Sequence, residues 1–392
     1  MRGAGRQKDT GAAARARAAG HAVVVAQRAD GDLYCRAACK RLQSVSSTIY
    51  DLAEHVGVSI ATVSRALSGR GHVAASTRER IFAAAHELGY EPDVSARSLA
   101  RQRTHLVSVV VPSLTSSFYM EVIHGIQDRL AESDYDLLVF PARDPEHVDA
   151  PVRRALQKGR ADGLLLASTP LTAERAAVLM DARNPVILVD SSHPAFDSVS
   201  VNNREGGFTA TQHLLNAGRR RIAHIAPNAV SVPGAERRRG YEDALRAAGR
   251  ALDPGLVVET GTLERHGFTE EEGRVAMERL LARPERPDAV FAASDAQALG
   301  ALGAIQRAGL RVPDDIALVG FDDVPASAYV GLTTLRQPMY EMGRVATEKL
   351  LQRLAEPDRP VSTTAFAASL VARATTGASA PTPAAPPPAS NS

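Results

Sequence analysis

From about residue 105 to residue 373 the chain alternates between two kinds of segment. Short apolar runs bounded by turn residues recur at Leu106–Val111, Tyr135–Phe140, Gly163–Ala167, Val186–Asp190, Arg221–Ala226, Ala289–Ala293 and Ile316–Phe321. Between them lie stretches with helical periodicity: Tyr119–Glu132, Arg204–Ala217, Gly240–Ala248, Thr269–Leu281 and Ala296–Ala308, with a final helix at Tyr340–Leu354. Strands that alternate with helices form parallel sheets covered on both faces. So many strands exceed one open sheet, and the pattern predicts two doubly wound subdomains. With 392 residues, 44% of them hydrophobic, there is enough apolar chain for two to three domains.

The segment before this block has another character. Residues 48–100 begin TIYDLAEHVGVSIATVSRALSG and end YEPDVSARSLA. Thr48 with Asp51 is an N-terminal cap for a first helix whose apolar face is Leu52, Ala53 and Val56. Gly57 makes the turn and Ser59 caps a second helix, in which Val63, Ala66 and Leu67 face inward. Ile60, Ala61, Thr62, Ser64 and Arg65 are left on the outer surface. Short side chains let a helix approach base edges closely, and an arginine pairs bidentately with guanine. Ser76-Thr77-Arg78-Glu79 reads as a capping box opening a third helix, with Ile81, Ala84, Ala85 and Leu88 as its stripe and Gly89 as its stop. Asp93 is placed to cap a short helix, Val94–Ala100, too short to form without DNA or a partner helix.

The remaining features mainly exclude. No apolar run reaches the ~18–20 residues of a membrane-spanning helix, and His21–Ala26 is too short for the core of a secretory signal, which points to the cytoplasm. Cys35 and Cys39 have no neighbouring metal ligands and read as free thiols, so no metal or other cofactor is expected. There is no Walker loop, no G-x-G-x-x-G after a strand and no G-x-S-x-G, so an enzyme is not expected. Residues 1–47 carry nine Lys/Arg against three acidic residues, and residues 377–392 are rich in proline.

These motifs resemble the LacI/GalR family of bacterial regulators. The resemblance runs through the headpiece and on through SFYMEVIHGIQDRL, ADGLLLAS, PVILVDSS, RRRIAHI, RRRGYEDALRAAG, PDAVFAASDAQALGAL, GLRVPDDIALVGFDD and LTTLRQPMYEMG, over roughly residues 47–373. It implies an all-α helix-turn-helix headpiece joined to an α/β effector domain of two doubly wound parallel-sheet subdomains, like periplasmic binding proteins. The divisions expected are a disordered basic extension over 1–46 (with Val45 as a candidate start of translation), the helix-turn-helix domain over 47–92, a hinge helix and linker over 93–104, the effector-binding and dimerisation domain over 105–373, and a disordered tail over 374–392.

The function implied is repression of transcription through a pseudo-palindromic operator in double-stranded DNA, bound by a homodimer and controlled by a small effector. The effector expected is a sugar or sugar derivative, with nucleobases as the second class. Tyr50, Ile60, Ala61, Thr62, Ser64 and Arg65 are the DNA contacts expected in the headpiece, with Ala96 and Leu99 from the hinge, Leu99 as a minor-groove wedge. Phe118, Tyr119, Asp190, Arg237, Phe268 and Asp322 are the effector contacts expected at the ends of core strands. Two motifs depart from the family: Ser116-Ser117-Phe118-Tyr119 stands where N-P-F-[FY] is usual, and Ser294-Asp295 where N-D is usual. The competing reading, a solute-binding component of a sugar transporter, is opposed by the headpiece and by the missing signal sequence.

Overall fold

The computed structural model describes residues 47–68, 71–90, 103–142, 148–261 and 267–377. The basic extension, the hinge helix with Ala96 and Leu99, and the tail beyond Gly377 lie outside the described residues. The chain divides into two compact units, Met1–Asp93 and Val94–Ser392.

The first unit contains α1 (Ile49–Val56), α2 (Ile60–Ser68) and α3 (Ala75–Glu87). α1 opens on the expected cap, which closes into a reciprocal box: Thr48 Oγ1 accepts from Asp51 N, and Asp51 Oδ2 accepts from Thr48 N at 2.7 Å. Gly57 ends α1 with φ of +73°, a left-handed conformation that costs glycine little. Arg80 of α3 donates to Val56 O at 2.8 Å, so a carbonyl left over at the end of α1 is satisfied from another helix. Leu52, Val56, Val63, Ala66, Ile81 and Ala84 form the core.

The capping box expected at Ser76 is not there. α3 starts earlier, its N-cap is Ala74, and no side chain caps it. Ser76 is already inside the first turn, so the S-x-x-E spacing was a coincidence of helix interior.

The second unit contains two six-stranded sheets. The first is built from β1 (Leu106–Val111), β2 (Asp136–Pro141), β3 (Gly163–Ala167), β4 (Val186–Val189), β5 (Asp197–Val201) and β11 (Thr363–Phe366), in the order β11-β5-β4-β3-β1-β2, all parallel. The second is built from β6 (Ile222–Ala226), β7 (Val257–Glu259), β8 (Ala289–Ala292), β9 (Ala317–Asp322), β10 (Thr333–Arg336) and β12 (Ser369–Val371), in the order β12-β10-β9-β8-β6-β7. Only β12 runs antiparallel in it.

The helices of this unit are α4 (Ser117–Ala131), α5 (Asp149–Ala155), α6 (Ala173–Met180), α7 (Asn203–Asn216), α8 (Val232–Ala247), α9 (Glu270–Leu281), α10 (Asp295–Arg307), α11 (Pro325–Tyr329) and α12 (Met339–Ala355). Three helix pairs carry most of the packing, and each is brought together by two facing glycines. A Cβ on Gly125 of α4 would overlap Tyr340 O of α12, and one on Gly343 would overlap Val122 O. Gly207 and Gly240 stand in the same relation for α7 and α8, and Gly273 and Gly300 for α9 and α10. A side chain at any of these positions would force the axes apart.

Among the described residues the chain passes between the sheets three times: from β5 into α7, from β10 into α12, and from β11 into β12. Asn202 N donates to Phe366 O at 2.8 Å, tying the first passage to the third. Both edge strands contributed near the C-terminus depend on polar anchors. Asp197 accepts from Arg353 and from Ser362 N and Oγ, which fixes the start of β11. Residues 374–377, expected in the tail, belong to the fold: Thr375 is buried, its Oγ1 donates to Leu318 O at 2.7 Å, and Thr333 N donates to it in turn.

Candidate functional site

Two places collect the residues that the sequence singles out. The first is the outer face of α2. Ile60, Ala61, Ser64 and Arg65 are exposed, as is Tyr50 of α1, and Thr62 is half-buried with its hydroxyl 2.9 Å from Ser59 Oγ. α2 faces outward here because Val63 and Ala66, one turn apart, take the inner side against α1 and α3. Arg65 Nε is folded back onto Ala61 O of its own helix at 3.1 Å.

The second is a cleft of about 430 Å³ between the two sheets, at the carboxyl ends of their strands. Phe118, Tyr119, Asp190, Arg237, Phe268 and Asp322 all line it. Asp190 directly follows β4 and Asp322 closes β9, with φ of +54° and +126°; Ser168, after β3, has φ of +42°. Three residues other than glycine have positive φ at strand ends facing one cleft, a concentration of backbone strain that is common at functional sites.

Arg237 was expected at a strand end and is not at one. α8 begins at Val232, eight residues before the expected start, with Ser231 Oγ accepting from Gly234 N and Pro233 in the first turn. Arg237 therefore projects from the second turn of a helix and is 3% exposed. Its Nε donates to Asn203 Oδ1 at 2.8 Å and its Nη1 to Ala293 O at 2.6 Å. Its Nη1 is 3.8 Å from Asp322 Oδ1, and its guanidinium lies over the Phe321 ring at 3.8 Å, with Phe268 at 6.0 Å. Burial holds the Asp322 carboxyl above the usual carboxylate range, against the pull of Arg237. Burial likewise raises Asp190, whose Oδ2 accepts from Ser168 Oγ at 2.7 Å.

The aromatic residues divide their work. Phe118 is 8% exposed and packs mainly in the first sheet's core, while Tyr119 stands edge-on to it at 5.1 Å with its hydroxyl beside Ser168. Burial pushes the Tyr119 phenol well above its ordinary range, so it stays protonated and is a donor as well as an acceptor.

Sequence reasoning missed several parts of this site. Ser168, Ser231 and Glu270 line the cleft, and Asn203 and Gln337 hold Arg237 and Asp322 from two of the three passages between sheets. The signal for Ser231 was present: a serine two residues before a proline, opening a helix. The Ser294-Asp295 pair splits. Ser294 faces the cleft, while Asp295 turns inward, accepting from Val324 N, Ser327 Oγ and Thr334 Oγ1. Among the described residues there is no metal-binding cluster, and no helix is long and apolar enough to cross a membrane.

Residues 48–93 match the family described as bacterial regulatory proteins, lacI family, and residues 211–376 match the periplasmic binding protein-like domain. The HTH-type transcriptional repressor PurR of Haemophilus influenzae is 32% identical over 320 residues, which covers 80% of this chain and 93% of that protein. The chain belongs to the LacI family. It is a DNA-binding transcriptional regulator and not an enzyme. The chain is similar in structure to the Lac repressor solved as a dimer bound to operator and the anti-inducer ONPF, with a TM-score of 0.74, 30% identity and coverage of 84% of this chain and 99% of that one. The regulator CelR in complex with cellobiose is 31% identical over 84% of this chain and 99% of its own, with a TM-score of 0.64.

Proposed function

We propose that this LacI-family member is a cytoplasmic repressor that binds a pseudo-palindromic operator as a homodimer and is released or tightened by a small polyhydroxylated effector, a sugar or sugar derivative. In this reading Ile60, Ala61 and Arg65 read base edges, Thr62, Ser64 and Tyr50 hold the backbone, and Ala96 and Leu99 of the hinge enter the minor groove. Symmetry follows from reach: one headpiece covers only a half-site. Asp190, Arg237 and Asp322 bind hydroxyl groups, and Phe268 and Tyr119 supply ring faces. In this reading residues 93–104 are the hinge and linker that join these two activities in the chain.

The observation that carries the effector reading is the meeting of Arg237 and Asp322 on one side of the cleft with Asp190 on the other. A ligand bridging them favours one separation of the two sheets over another, and only such a difference in affinity can change DNA binding. That the related regulator CelR is found in complex with cellobiose supports a sugar as the ligand class. Differential scanning fluorimetry of wild type and Arg237→Ala across sugars, nucleosides and bases tests it. A sugar that raises the wild-type melting temperature and leaves the variant unmoved supports the reading; a ligand that shifts both equally places the site elsewhere.

A further inference from the structure

Among the described residues the cleft is lined by one cationic side chain and three carboxylates: Arg237 against Asp190, Glu270 and Asp322. Arg237 is already engaged. Its Nε and Nη1 serve Asn203 and Ala293, and Asp322 takes the nearest share of its charge at 3.8 Å. Asp190 is 6% exposed, and its Oδ1 has no hydrogen-bond partner among the described residues. A buried acceptor of this kind calls for a donor from the ligand.

The helix N-termini around the cleft do not reverse the balance. Ser231, Thr269 and Ser294 side chains accept from the first-turn N–H groups of α8, α9 and α10. α9 also opens with Glu270, Glu271 and Glu272. Among the described helices that open on the cleft, α4 and the five-residue α11 start without a side-chain cap; α11 begins with Pro325, which has no N–H, and Val324 N already donates to Asp295, so the first N–H groups of α4, beside the hydroxyls of Ser113 and Ser117, are the main backbone donors. The cleft therefore offers acceptors on Asp190 and Asp322, donors on α4 and Tyr119, and serine hydroxyls that do either. Groups that both donate and accept, without charge, match that set. A phosphate or carboxylate accepts only, and it would set further negative charge against the buried Asp190, whose Oδ1 already lacks a donor among the described residues, where screening by water is weak.

We infer that the effector is a polyol carrying no negative charge, neutral or amino-substituted, with one hydroxyl or amino group donating to Asp190 Oδ1, and that phosphorylated or carboxylated forms of the same polyol are refused. This rests on the cleft being the effector site. Burial raising the Asp190 carboxyl is consistent with a charge that the protein itself leaves under-compensated.

The test has two arms. In the first, the full-length protein is titrated by isothermal calorimetry with matched pairs: cellobiose and cellobiose phosphate, glucose and glucose 6-phosphate, glucosamine and its 6-phosphate, adenosine and AMP. Whichever parent binds, its anionic partner is expected to bind at least 100-fold more weakly, and Asp190→Asn is expected to narrow that ratio to less than tenfold. A phosphorylated sugar that binds as tightly as its parent overturns the charge rule while leaving the cleft as the effector site. Adenosine binding with no sugar binding overturns the polyol assignment and, with AMP refused, leaves the charge rule standing. The second arm needs no ligand. Asp190→Asn removes the under-compensated charge, so its melting temperature at pH 7.5 is expected to exceed that of wild type by several degrees. A lower value means that the protein already satisfies this carboxylate, and the inference fails.

Discussion

Gln337 donates its side-chain N–H to Asp322 Oδ1 at 2.6 Å from the passage between β10 and α12. Its backbone N–H donates to Asp322 O as well, at 3.2 Å. Asp322 lies in the second sheet's half of the cleft, and α12 packs against α4 on the first. Whatever engages Asp322 is thus felt at one of the passages that set how far the two sheets stand apart. Asn203 does the same for Arg237 at the passage from β5 into α7.

Arg237→Ala strips Asp322 of its cation and leaves Asn203 Oδ1 and Ala293 O without their donor in a buried place. Removing one partner of a buried pair costs about 3–5 kcal/mol. Urea denaturation of the effector domain is expected to show a loss of that size, and Arg237→Lys, which keeps the charge without the planar fork, a smaller one.

His224 gives a pH prediction. The ring is stacked between Tyr241 and Phe291 at 5.1 and 4.7 Å, and Nδ1 is 2.9 Å from Phe291 O. Burial lowers its pKa from 6.5 to about 4, helped by Arg238 and Arg237. The unfolded chain therefore takes up a proton that the folded one refuses. The stability this neutral ring supports is complete above pH 6.5 and is lost as pH falls towards 4, on the order of 3 kcal/mol for a shift of this size. Asp190 and Asp322, raised by burial, work in the opposite direction, so the readout is a difference. Wild type minus His224→Phe, measured by chemical denaturation from pH 7.5 to 4, is expected to fall by that amount; a flat difference contradicts it.

Gly300→Ala is a packing test. The added Cβ would overlap Glu270 O across the α9–α10 contact, and overpacking of this kind costs about 1–3 kcal/mol. Gly303, on the same helix, has only the tip of Arg307 near it, so Gly303→Ala is expected to be neutral or slightly stabilising. Thermal unfolding of the two variants separates close approach from helix propensity.

The parts of the fold that sequence revealed are those whose signal is local. The Thr48–Asp51 box and Gly57 fix α1 within a few residues, and seven apolar runs correspond to strands within a residue or so of their ends. β5, β10 and β11 went unread because hydroxyl and carboxylate residues interrupt their apolar pattern, as with Asp197 and Ser198, Thr333 and Thr334, and Thr363 and Thr364. Ser198 pairs with Thr363, Thr334 with Asp295 and Thr333 with Arg373, and these partners are 39 or more residues apart. A window of sequence cannot show that such hydroxyls are satisfied. The start of α8 was missed for a related reason: VPGAERRR has no apolar stripe, because Arg237 is the residue that the helix buries. The family resemblance pointed to residues that the structure places around one cleft, but not to the helix that carries Arg237 or the inward turn of Asp295.

Arg65→Ala addresses the DNA face. If Arg65 leaves Ala61 O for a guanine, the variant loses about 1–3 kcal/mol of specific binding and relaxes preference at one base pair of each half-site. Selection from a random duplex pool with wild type and variant checks both. Unchanged affinity and preference would remove Arg65 from the readers.

The most direct test of ligand control joins the two units in one measurement. Fluorescence anisotropy of the selected operator duplex is followed with wild type and with Arg237→Ala, with and without whichever neutral sugar stabilises the wild type. The sugar is expected to change wild-type operator affinity by about 5–150-fold, the usual range of such coupling, while Arg237→Ala binds the duplex with near-normal affinity and does not respond. A variant that still responds at the same sugar concentration would contradict control of DNA binding through this cleft.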